Sequence, residues 1–248
     1  MATEVAVIIP AFNEEKNISR VIKRIKKSIN AEIIVVDDSS KDRTREVALK
    51  SGVKVISHKI NKGKGGALKT GFEEVLTKYP EIKYIILIDA DSQYDPEDMP
   101  KLLEALKRGY DYVTGFRNWK RDVPFRHRFA NFLWRNAFNL LFGVRLFDSN
   151  CGFIGMNRRA LKIISKDSYG GYIIDNMMMA NAIKSGLKIK QVPVKVYYKE
   201  RRDIITGIRF FLGCLVFIVE EGIRFRFGWN FRVYVHLART KLIFSKGG

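Results

Sequence analysis

Short runs of β-branched and aliphatic residues recur through the first half of the chain, each separated from the next by a segment of helical period. This alternation restricts the fold more than any other feature. The runs occupy 5–9, 33–36, 53–56, 84–88 and 112–114, and helices are predicted over about 14–28, 41–50, 65–78 and 96–108. Runs that are apolar on both faces belong in a parallel sheet covered on both sides, since a wet face would impose alternation. An α/β architecture follows, with a mostly parallel sheet and helices on both faces. Right-handed crossovers bring the strand C-terminal ends to one edge, where open α/β sheets bind their ligands.

That edge collects carboxylates. Asp89 and Asp91 follow the fourth run, so both side chains can point the same way. Two such groups repel unless a cation lies between them, and oxygen ligands favour a hard ion, Mg²⁺ or Mn²⁺, that can also bridge a diphosphate. Asp95–Pro96 reads as a helix start, which explains Asp95 and leaves Asp89 over. Asp37 and Asp38 end the second run, and one cap needs only one of them; the other could accept from a ribose hydroxyl or a base N–H. Pro10 is expected to end pairing of the first strand, and Asn13 to cap the next helix, whose exposed N–H groups favour an anion. Asn61-Lys-Gly63-Lys64-Gly65-Gly66 combines a flexible backbone with a cation before a helix. It lacks P-loop spacing, which argues against a kinase or ATPase.

The chain has 248 residues, with 45 Lys+Arg against 26 Asp+Glu for a net charge of +19, and it is 46% hydrophobic. A disordered chain is excluded, and one large domain fits the length. Two distant cysteines, Cys151 and Cys214, exclude a disulfide framework and a Cys/His zinc site. No basic segment followed by a long apolar one opens the sequence, which predicts a chain that stays in the cytosol. The longest unbroken apolar run, 210–219, falls short of the ~20 residues of a spanning helix.

After Pro124 the character changes. Residues 125–142 place Arg128, Asn131, Arg135 and Asn139 on one helical stripe, with Phe129, Leu133, Ala137, Leu140 and Leu141 opposite. A second helix is expected over about 204–222, and no acidic residue follows Glu221. The expected organisation is a catalytic domain over 1–203 and a basic, apolar membrane-associating segment over 204–248.

Taken together, Pro10-x-x-Asn13-Glu14, Asp37-Asp38-Ser39-Ser40, Asn61-x-Gly63-Lys64-Gly65 and Asp89-Ala90-Asp91-x-Gln93-x-x-Pro96 resemble the family-two inverting glycosyltransferases of the GT-A fold. The chain looks most similar to the dolichyl-phosphate mannose synthase and dolichyl-phosphate glucosyltransferase group. The resemblance implies transfer of a hexose from a UDP- or GDP-linked donor to a polyprenyl phosphate. It implies a nucleotide-sugar site at Pro10, Asn13, Glu14, Asp37, Asp38, Lys64, Gly65, Asp89 and Ala90, and a metal site at Asp89, Asp91 and Gln93. Asp91, Arg117 and Asp175 would be catalytic. Arg117, in Gly115-Phe-Arg117, would face the acceptor phosphate together with Arg201 and Arg202. Asp175 stands where relatives commonly have Glu, and the family's Gly-x-Ser after Val192-Pro193-Val194 is absent.

A phosphate acceptor is already ionised near neutral pH, its second pKa being about 6, so no strong general base is required. An anionic, hydrophobic acceptor must be taken from a bilayer, which matches a basic protein with apolar helix faces on the cytoplasmic side of the membrane. Nucleic acid is not the expected partner, because it leaves the edge carboxylates unexplained. A transferase with a soluble or polysaccharide acceptor would keep the donor site.

Overall fold

The computed structural model describes residues 3–117, 125–167, 173–197 and 204–228, with side chains at 125–127, 167 and 204–210 left out. Seven strands form one sheet: β1 (Val5–Ala11), β2 (Glu32–Asp37), β3 (Lys54–Ser57), β4 (Tyr84–Leu87), β5 (Tyr112–Arg117), β6 (Ile154–Asn157) and β7 (Ile189–Val194). Their order is β3-β2-β1-β4-β6-β5-β7. All neighbours are parallel except β6, which runs antiparallel to both β4 and β5.

The five expected strands are present. β6 and β7 were not anticipated, for opposite reasons. β6 is only Ile-Gly-Met-Asn, too short for a pattern. β7 is an edge strand in which the polar Lys190 and Gln191, together with Pro193, interrupt any apolar run. Because β6 is reversed, the segment entering it, 148–153, arrives at the edge where the parallel strands end.

Pro10 does not end β1. It pairs with Val36 of β2, and the β1–β4 register stops at Ile8↔Leu87. The missing N–H falls on the β4 side, beyond the last bond there, where it costs nothing.

Alternate residues of β1 feed two cores. Val5, Val7 and Ile9 meet α1 (Ile18–Ser28), α2 (Thr44–Lys50) and α4 (Met99–Lys107). Ala6 and Ile8 belong to a second cluster with α3 (Gly63–Lys78), α5 (Phe125–Phe142), α6 (Arg158–Ile164), α7 (Ile174–Lys184) and α8 (Ile204–Phe227). Gly71 allows α3 to lie on β1: a Cβ there would come within 2.5 Å of Ile8 Cγ2.

α5 spans the expected residues 125–142. Asn131, Trp134, Phe138 and Phe142 are buried, whereas Phe129, Phe132 and Leu140 are 51%, 52% and 71% exposed. Ala137 and Leu141 of the apolar stripe pack on the core, Asn131 of the polar stripe is buried and Arg128 is exposed, so each stripe is split between core and surface. Trp134 stacks on Phe211, Phe142 stacks on Phe225, and Gly222 of α8 accommodates Leu141. α8 gives Cys214, Phe217 and Ile218 to the sheet's own core. The core therefore continues past residue 203, so 203/204 is not a core boundary; residues 229–248 lie outside the described ones. Among the described residues no helix is long and apolar enough to cross a membrane.

Candidate active site

The loops after β1 and β2 interlock. Asn13, at φ 56°, does not cap α1, which starts at Ile18. Its side-chain oxygen instead accepts from Lys41 N at 2.8 Å, and its own N donates to Ser40 Oγ at 2.9 Å. Glu14 N donates to Thr44 Oγ1 at 2.7 Å, and Glu14 Oε2 accepts from Asn17 Nδ2 at 2.6 Å. The result is a bracket of polar loop at the tips of β1 and β2, with Phe12 exposed on it.

Asp37 and Asp38 are both buried. Asp37 Oδ1 accepts from Ser40 N at 3.3 Å, closing a local turn. The carboxylate of Asp38 turns inward: Oδ1 lies 2.7 Å from His58 Nδ1 and accepts from Lys62 N at 2.8 Å, while Oδ2 accepts from Gly63 N at 2.7 Å. His58 Nε2 lies 2.9 Å from Thr70 Oγ1. Asp38 and His58 therefore fix the start of α3. Nothing in the sequence singled out His58, since a lone histidine has no signature until its partner is located.

The fixed α3 terminus carries Lys64 into the carboxylates, with Gly65 buried behind it. Lys64 Nζ lies 2.8 Å from Asp89 Oδ1 and 3.0 Å from Asp175 Oδ2. Asp175 stands at the start of α7, and its Oδ1 is buried without a hydrogen-bond partner. Gly152, on the way into β6, lies against this group: a Cβ there would be 2.8 Å from Lys64 Nζ, 2.9 Å from Asp89 Oδ2 and 3.3 Å from Asp175 Oδ2. Asp91 Oδ1 accepts from Gln93 N at 3.0 Å, and Ala90 between the two aspartates is buried. Burial, then the charge of Asp89, then that of Glu14 hold the Asp91 carboxyl above the usual range. Burial also raises Asp175, with Lys64 opposing and Asp89 adding to it. Asp89, Asp91 and Asp175 thus share one electrostatic environment.

Arg117, at the end of β5, forms a two-pronged pair with Asp148: Nε to Oδ2 at 2.6 Å and Nη2 to Oδ1 at 2.9 Å, with Nη2 also reaching Asn150 O at 3.0 Å. The side chains are 16% and 0% exposed. Burial alone would lower the Arg117 pKa, but Asp148 outweighs it and raises it. Tyr94 OH accepts from Gly152 N at 3.0 Å. Burial pushes the Cys151 thiol up to about 12, which makes it an inert wall. Gln93 O accepts from Tyr197 N at 2.8 Å, so the chain leaving β7 passes over the aspartate loop. Arg201 and Arg202, next along it, lie outside the described residues.

Among the described residues no three His, Cys, Asp or Glu side chains converge into a ready-made metal cage. A Mg²⁺-type ion does not require one, since it commonly takes one or two carboxylates and completes its shell with water and substrate phosphates. The all-oxygen set of Asp89 and Asp91 suits such an ion, and a cation already lies on Asp89 in the form of the Lys64 ammonium. The residues fit the expected group.

Residues 6–164 match the family model described as glycosyl transferase family 2. An uncharacterized protein of Methanocaldococcus jannaschii is 38% identical, over 83% of this chain and 88% of its own. The UDP-N-acetylglucosamine–dolichyl-phosphate N-acetylglucosaminyltransferase of Methanococcus voltae is 30% identical, over 85% of this chain and 92% of its own. Among solved structures, glucosyl-3-phosphoglycerate synthase of Mycobacterium tuberculosis, in complex with Mn²⁺, UDP and phosphoglyceric acid, superposes with a TM-score of 0.69 at 22% identity, covering 87% of this chain and 78% of that one. At that identity the likeness is one of fold.

Proposed function

The chain belongs to glycosyl transferase family 2, and from that premise we propose that it moves a hexose from a UDP- or GDP-linked donor to a polyprenyl phosphate, with inversion and with a divalent ion. The observation that carries the reading is that Asp89, just beyond β4, shares Lys64 with Asp175 at the start of α7, while Asp91 two residues on feels the charge of Asp89. The Methanococcus voltae relative, named for a dolichyl-phosphate acceptor and matched over most of both chains, supports the lipid acceptor.

Glycosyl transfer builds positive character on the sugar carbon and negative charge on the departing diphosphate. Asp89, Asp91 and Gln93 would hold Mg²⁺ or Mn²⁺, which supplies charge neutralisation to the leaving group. The loop bracket of Pro10, Asn13, Glu14 and Asp37 lines the nucleoside site. Asp38 serves it indirectly, by fixing the α3 terminus that presents Lys64 and Gly65 to the phosphates. Asp175 borders the sugar. Arg201 and Arg202 are assigned the acceptor phosphate, while Arg117 holds the 148–152 segment, and with it Gly152, against Asp89. An ionised acceptor phosphate attacks in line from the far side of the sugar, and positioning replaces a general base.

Exposed apolar side chains on α5 and α8 support residence on a membrane surface, the cytoplasmic one in this reading. Phe129, Phe132 and Leu140 on α5, and Leu212, Phe225 and Phe227 on α8, are all exposed. Burying each contributes roughly 1.5–3 kcal/mol. Phe132→Asp/Leu140→Asp is therefore expected to weaken flotation with anionic liposomes by at least about tenfold, and unchanged flotation would remove α5 from the contact.

Purified protein offered a panel of UDP- and GDP-sugars with polyprenyl phosphate should yield a glycolipid. EDTA should abolish turnover and Mn²⁺ restore it; undiminished turnover in EDTA would sink the metal-dependent reading. The phosphoglyceric acid bound in the Mycobacterium tuberculosis structure favours a second reading, a soluble phosphorylated acceptor. Product formed only with such acceptors would establish it.

A further inference from the structure

Asp89 is the proposed metal ligand, and its Oδ1 is occupied by an ammonium group of the protein itself. Lys64 reaches it from the second residue of α3, whose start is clamped by Asp38 through Lys62 N and Gly63 N. The base of the lysine is therefore fixed while its four-carbon stem can turn. The tip is held by Asp89 at 2.8 Å and Asp175 at 3.0 Å, and the absent side chain of Gly152 leaves space for that arrangement. An ammonium and a divalent cation cannot bind one carboxylate oxygen together, because their like charges would be separated by little more than contact distance. A diphosphate arriving at the same edge gives the ammonium an alternative anionic partner.

Building on the reading above, we propose that Lys64 is a built-in placeholder for the divalent ion: it holds Asp89 in the donor-free enzyme and releases it only when a nucleoside diphosphate takes the ammonium. Metal and nucleotide then load as a coupled pair. Free metal binds poorly, and the carboxylates remain paired between turnovers. Lys64 is a positioning residue in this role, and its effect is read in metal affinity rather than in rate.

The test is a titration of the full chain with Mn²⁺, following the free-ion signal by electron paramagnetic resonance, without nucleotide and with saturating UDP or GDP. The parent should bind Mn²⁺ at least tenfold more tightly when the matching nucleotide is present. Lys64→Met, similar in length and uncharged, should bind nucleotide-free Mn²⁺ at least tenfold more tightly than the parent and lose most of the nucleotide effect. Lys64→Arg, which keeps the charge, should bind it as weakly as the parent. Equal nucleotide-free affinity in the parent and the Met variant, or an Arg variant that behaves like the Met variant, would overturn the placeholder while leaving the metal-dependent transferase intact. Absence of Mn²⁺ binding in every protein under every condition would overturn both.

Discussion

Asp91→Asn is expected to lower kcat by about 10²- to 10³-fold, the loss of roughly 3–4 kcal/mol seen when a preorganised charge-stabilising group is removed, with no fall in Tm. The combination follows from the environment of Asp91. Its carboxyl is raised above the ordinary value by burial and by the charges of Asp89 and Glu14. Below the unfolded-state pKa both states are protonated and the site costs no stability. The cost builds as pH rises above the unfolded-state value and is complete above the folded-state value, where the native state must ionise against its neighbours. Asn retains an oxygen to accept from Gln93 N and removes that cost. Melting curves at about pH 3, below the ordinary carboxyl value of 3.8, and at about pH 7 should show the variant's advantage at the higher pH and not at the lower. A Tm several degrees below the parent's at pH 7 would mean that Asp91 supports the fold; near-normal turnover would remove it from the site.

Local sequence carried what local physics decides. The runs that became β1, β2 and β4 are apolar on both faces because helices cover both, and that pattern is visible without coordinates. The carboxylate pairs were visible for the same reason, as each follows directly on its strand. What escaped depends on contacts distant in the chain. Lys64 and Asp175 are separated by 111 positions, so their pairing was unreadable although each was individually a candidate. The Asp38–His58 contact, which turns a nucleoside-binding expectation into a loop anchor, needed β3 to lie beside β2. The division of each α5 stripe between core and surface was hidden because polarity alone does not state which positions meet the core. Trp134 and Phe138 decide it, both being too large to leave exposed once α8 provides a partner.

Arg117→Ala is expected to destabilise the fold by about 3–5 kcal/mol, because it leaves the Asp148 carboxylate, wholly buried, without its counter-charge. For a chain of this size that is a fall in Tm of roughly 10 °C, measurable in the absence of any substrate. Asp148 also accepts from Asn150 N at 3.1 Å, so the segment bearing Gly152 should loosen with it and disturb the Lys64–Asp89–Asp175 group. Changing both partners, Arg117→Met with Asp148→Asn, should recover part of the loss, since neither change then strands a charge; a double variant as unstable as the sum of the singles would deny that the two groups act as a pair. The alternative role, a guanidinium that leaves Asp148 to hold the acceptor phosphate, predicts a different pattern. In that case the arginine would be spared in the resting fold, and Arg117→Ala would melt with the parent while its KM for polyprenyl phosphate rose and that for the nucleotide sugar did not. Fork-to-fork geometry at 2.6 and 2.9 Å, inside a site where Asp148 has no access to water, places the weight on the structural pair.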